Sequence, residues 1–152
     1  MDKDFSLKLI KGKIAEIIFQ QMFCEAGGYN VIPFGYENIV PELSQYRGEA
    51  KKVVDNIRNA PDFALISKNK NIVHLVEVKF RKKLVLSDIK EIAKRQSIRW
   101  NPSWIFIATM NGFYFDECSN IIKTGKINCL SDYEIKYSLQ KKYLDLVKKF
   151  EF

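Results

Sequence analysis

At 152 residues and 17.8 kDa the chain is long enough for one domain with a real core and too short for two, so a single domain over residues 1–152 is expected. Hydrophobic residues make up 47% and charged residues 28%, without repeats or low-complexity tracts. That balance excludes a disordered chain, and the longest apolar runs, such as Ile105 to Ala108, are far too short to span a membrane. The amino terminus lacks a signal-peptide core, so a cytoplasmic protein with no membrane partner is expected. Lys and Arg outnumber Asp and Glu by 25 to 18, a net charge of +7, which favours a polyanionic partner. Cys24, Cys118 and Cys129 are widely spaced with no CxxC pair, and the single histidine, His74, lies in an apolar strand. These four read as reduced thiols and a packed imidazole, not as a zinc site or a triad.

From Asp4 to Ala26, Leu7, Ile10, Ile14, Ile18 and Met22 recur at helical spacing, and Gly27-Gly28 ends the pattern. "YNVIPFGY" offers a short strand that Pro33 confines to an edge or a bulge. Leu43, Tyr46, Ala50, Val53, Val54 and Ile57 put a helix or broken helix between Pro41 and Asn59. Strands follow at 61–67 and 72–80, turning at "KNKN". Ser87 and Asp88 open a helix with Ile89, Ile92 and Ala93 buried, closed by Pro102. "SWIFIATMNGFYFDE" is a strand pair around Asn111-Gly112, and "NIIKTGKINCL" adds a short irregular strand. Ser131 and Glu134 have capping-box spacing and start a C-terminal helix around 132–149. The order is that of a mixed α/β layer fold.

Three charges stand where strands usually bury apolar groups. With Asn69-Lys70 as the turn, paired positions sum to 139 and Asp62 lies across from Glu77, with Cβ atoms about 4.5–5.5 Å apart. Side-chain alternation puts Lys79 on the same face, next to Glu77. Two opposed carboxylates on a half-buried sheet repel each other, and something must compensate. A lysine does so in part. A hard divalent cation bound through oxygen does so better, and it also stabilises charge on a phosphate and activates water. An ordinary ion pair at a sheet rim is the competing reading of the same geometry.

Pro61-Asp62, a hairpin's length of chain, then Glu77-Val78-Lys79 resembles the signature of the PD-(D/E)XK nuclease superfamily. The flanking elements agree over roughly residues 5–110. The resemblance implies a restriction-endonuclease-like three-layer core, a mixed central β-sheet flanked by helices. It also implies Mg²⁺ or Mn²⁺ held by Asp62 and Glu77, with the Val78 carbonyl as a further ligand and Lys79 serving catalysis. Small nucleases similar to Holliday-junction resolvases carry a metal-holding glutamate on the first helix. That place is taken here by Glu16 in "KGKIAEIIFQ", and Glu49 and Asp55 rank below it. Many members carry a glutamine or lysine on the helix after the ExK strand, matched by Gln96, which lies on the buried face and needs a partner.

Arg81, Lys82, Lys83, Lys90, Arg95 and Arg99 are the expected phosphate contacts. Trp100 and Trp104 read as core before stacking groups. The connection around 36–60 is longer than in minimal resolvases; it brings Arg47, Lys51, Lys52 and Arg58, and leaves the substrate class open. The leading expectation is a metal-dependent endonuclease acting on DNA. A non-catalytic nucleic-acid-binding or scaffold domain of the same fold and an RNA-directed endonuclease stand as alternatives, and a homodimer stands beside a monomer.

Overall fold

The computed structural model describes residues 3–34, 52–53, 60–69 and 71–150. The helix expected between Pro41 and Asn59, with Glu49, Asp55, Arg47, Lys51 and Arg58, lies outside them, apart from Lys52 and Val53, which are helical. Helix α1 (Lys3–Ala26) buries Ala15, Ile18, Phe19, Met22 and Phe23. These fall at i, i+3, i+4, i+7 and i+8, one face of a helix. Ile10, expected in that stripe, is 48% exposed, because the amino-terminal half of α1 lines an open pocket instead of the core. Gly27 and Gly28 follow with φ of 74° and 78°, the left-handed backbone that lets the chain reverse into the sheet.

Strands β1 (Tyr29–Pro33), β2 (Phe63–Ser67), β3 (Ile72–Phe80), β4 (Trp104–Ala108) and β5 (Phe113–Glu117) lie side by side in chain order. The β3–β4 pair is parallel and the other three pairs are antiparallel. A parallel step needs a crossover, which α2 (Leu86–Arg99) supplies. The β2–β3 register keeps the sum of 139, with Phe63 facing Val76 and Ser67 facing Ile72.

Alternation along the strands feeds two cores. Phe63, Leu65, Val76, Val78, Phe106, Phe113 and Phe115 pack with α1 and with Tyr143 and Val147 of the last helix, α4 (Tyr137–Lys148). Ile105 and Ile107 turn to the other face, against Ile89, Ile92 and Ala93 of α2 and Cys118 and Ile121 of α3 (Cys118–Thr124). Helices therefore cover both faces of a mixed sheet, as an α/β layer fold requires. No helix among the described residues is long and apolar enough to cross a membrane.

Three local expectations are corrected. Where an irregular strand was expected, residues 118–124 are helical, and the strand-like return is confined to residues 128–130 beside β5, with Cys129 bridging to Tyr114. The cause is Asp116, whose carboxylate accepts hydrogen bonds from Asn120 Nδ2 at 2.8 Å and the Asn128 N–H at 3.1 Å. It thereby ties both arms of a loop that returns along β5. The Ser131–Glu134 box does form, with the Ser131 hydroxyl donating to Glu134 at 2.6 Å and the Glu134 N–H donating back at 3.1 Å. It caps a single turn, however: Lys136 leaves helical geometry (φ −52°, ψ 136°) and α4 starts at Tyr137. Ser87 caps nothing, since α2 begins one residue earlier behind Val85, and Asp88 is held by Arg81 Nε at 2.7 Å.

Candidate active site

Asp62 sits where the β2–β3 ladder ends. Its carbonyl accepts the Phe34 N–H at 2.8 Å, prolonging the β1–β2 pairing. Pro61 before it has no N–H to extend the ladder. The Asp62 side chain takes over on the other side, where Oδ2 accepts the Val78 N–H at 2.8 Å. A side chain thus stands in for a backbone acceptor, which fixes the carboxylate against β3. Glu77 lies beside Asp62, close enough to raise its carboxyl, and 4.0 Å from Lys79 Nζ. Glu16 arrives from α1, paired with Lys13 at 3.4 Å and within hydrogen-bonding reach of Asp62.

Burial, and next the closeness and negative charge of Glu77, push the Asp62 carboxyl up to about 8, against the weaker pull of the Val78 N–H and Lys79. Glu16 is raised as well, by burial first and then by Asp62, with Lys13 opposing. The cluster consequently holds a proton near neutral pH that a bound cation would displace. Every donor is oxygen: three carboxylates and, turned by strand alternation to the same edge as the Val78 N–H, the Val78 carbonyl. That set suits Mg²⁺ or Mn²⁺ in chemical kind. Among the described residues no three Asp, Glu, His or Cys side chains are already drawn together around a metal-sized centre. Glu16 and Glu77 each approach Asp62 pairwise and would have to close in.

Asp62 and Glu16 open into a pocket of about 650 Å³ lined also by Lys79, Phe80, Arg81 and Lys82 and, from α1, by Lys8, Leu9, Lys11 and Lys13, whereas Glu77 is not part of its lining. Of the expected phosphate contacts only Arg81 and Lys82 line it. Arg81 is already engaged, with Nε on Asp88 and Nη1 donating to the Phe80 carbonyl at 2.9 Å. Lys83, Lys90, Arg95 and Arg99 lie on the β3–α2 link and on α2, outside this pocket. The α1 lysines were missed by sequence reasoning, although "KLIKGK" places them one and two turns before Glu16.

Gln96 is 7% exposed, and its Nε2 finds no hydrogen-bond partner among the described residues. It does not line the pocket. A buried amide left so calls for a water or a ligand. Trp104 packs against the core beside His74, ring centroids 4.4 Å apart, and Trp100 meets Phe34 edge-on at 5.6 Å. A larger cleft, about 1110 Å³, opens at the other end of the sheet between Glu25, Tyr29, His74, Trp104 and Tyr133. It holds none of the expected site residues.

No family model matches the chain, and no curated protein matches it. Its function must rest on the chemistry of the site.

Proposed function

We propose that the protein is a Mg²⁺- or Mn²⁺-dependent endonuclease of restriction-endonuclease-like fold that hydrolyses phosphodiester bonds, with DNA as the leading substrate. The observation that carries the reading is Asp62, its carboxyl raised to about 8 beside Glu77 and Glu16 at the foot of a lysine-rimmed pocket. Clustered acid under a basic rim suits a cation below and a phosphate above. Asp62, Glu77, Glu16 and the Val78 carbonyl would hold the ion, which supplies charge neutralisation and water activation. Lys79 orients the attacking water and offsets the charge that builds on the phosphate. In the reaction a water oxygen bonds to phosphorus, the ester P–O bond opposite breaks, and the departing oxygen leaves with the proton the water gives up.

A second reading, a nucleic-acid-binding domain that does not cut, draws on the undrawn carboxylates and on the basic rim, which serves binding alone. Cleavage separates the two. Supercoiled plasmid, single-stranded DNA, branched DNA and structured RNA are incubated with Mg²⁺, Mn²⁺ or EDTA, using the wild type, Asp62→Asn and Lys79→Ala. Metal-dependent cutting that falls at least 100-fold in both variants, with folding confirmed by circular dichroism, is the expected result. Cutting of RNA alone moves the substrate class, and no cutting by wild type in any metal overturns the enzyme reading.

A further inference from the structure

The pocket above the carboxylates has two walls. One is the amino-terminal half of α1, the other the end of β3 running into residues 81–82. Lys11 Nζ lies 5.7 Å from the centre of the Phe80 ring, so a single lysine side chain reaches from one wall to the other. A cation and an aromatic ring therefore face each other across the cleft.

The walls are also mixed in character. Lys8 and Lys82 are exposed; Leu9 lines the pocket and is 52% exposed, and Phe5, one turn before it on α1 and just beyond the lining, is 57% exposed. Two adjacent apolar groups next to a charged cleft offer a contact surface for an apolar partner. Cations tracking a backbone, interleaved with apolar and aromatic surface for unstacked bases, are the chemistry by which proteins take single strands. Paired bases keep their faces covered and have no use for Phe5 and Leu9.

We infer that the cleft between α1 and the end of β3 binds single-stranded nucleic acid, with Lys8, Lys11 and Lys82 on phosphates and Phe5 and Leu9 against bases. The substrate of the proposed endonuclease is then a single-stranded or unpaired segment; this deepens the functional reading and rests on it for the cutting step only.

Binding is measured apart from cutting, by fluorescence anisotropy in EDTA, with a labelled 20-nucleotide oligothymidine and a 20-base-pair duplex. Wild type is expected to hold the single strand at least tenfold more tightly. Lys8→Glu with Lys11→Glu should lower that affinity at least tenfold, whereas Lys148→Glu with Lys149→Glu, on and just after α4, should change it less than threefold. Phe5→Ser with Leu9→Ser should weaken the single strand and leave the duplex unchanged. All four changed positions on α1 are exposed or only partly buried, and circular dichroism confirms folding. Equal or tighter duplex binding, or indifference to the α1 charge reversals, overturns the inference, even if the protein cuts. Single-strand preference without any cutting upholds it and removes only the endonuclease reading.

Discussion

Asp62 serves two purposes that conflict, and the conflict is measurable. Its carboxylate completes a β-ladder through the Val78 N–H, yet burial and Glu77 make its ionised form expensive. The folded protein keeps this proton to about pH 8, while the unfolded chain releases it near 3.8. Over the interval the folded state binds more protons, so this group's contribution to stability is whole below pH 4 and is lost as pH rises toward 8. Asp62→Asn retains an acceptor for Val78 and abolishes the titration. Melting curves should show the variant above wild type at pH 8 and level with it only below pH 4, with Mn²⁺ at pH 8 raising the wild type only. Parallel pH profiles for the two proteins would contradict the assignment. The positions of these residues were legible in advance because a hairpin register is arithmetic: the sum of 139 holds from Phe63 to Ser67. Lys8, Lys11 and Lys13 were not, since which face of a long helix borders a pocket depends on how it lies across the sheet.

At the scale of elements, the ring cluster under α1 holds the site's two halves together. Phe19 is fully buried, with ring centroids 4.8 Å from Phe23, 5.2 Å from Phe63 and 5.1 Å from Phe106. It joins the helix that carries Glu16 to the strand that follows Asp62. Phe19→Ala should cost about 3–5 kcal/mol, read as a lowered denaturation midpoint, and Phe19→Leu clearly less. Equal midpoints for wild type and Phe19→Ala would show that α1 is not anchored there. Strong periodic elements such as α1 and the β4–β5 pair could be read from sequence. The segment after β5 could not, because Asp116 decides it by binding Asn120 and the distant Asn128. In α4 the capping signal was genuine but local. Gln140 Nε2 donates to the Leu130, Ser131 and Ile135 carbonyls at 3.1, 3.2 and 2.8 Å, holding the capped turn apart as a unit of its own.

Across the whole molecule, charge is sorted by position. Lysines surround the pocket at one end of the sheet, while Glu25, Asp116, Asp132 and Glu134 line the cleft at the other, so a polyanion is steered to one end. If Lys8, Lys11, Lys13, Lys79 and Lys82 all meet phosphates, the logarithm of single-strand affinity should fall against the logarithm of salt with a slope of about −3 to −4. Lys8→Gln with Lys11→Gln should flatten that slope by about 1.4. A slope near zero would mean that the lysines meet no phosphates.

The edges of the sheet are unequal. Residues 128–130 cover β5, with the Phe115 N–H on the Asn128 carbonyl at 2.9 Å and the Leu130 N–H on the Phe113 carbonyl at 3.0 Å; among the described residues nothing pairs with the far side of β1. Among the described residues, strand-to-strand association between copies is thereby directed to β1. Two β1 strands that met antiparallel would cover each other's border around a two-fold axis. A contact of that kind closes as a pair instead of extending into an open fibre.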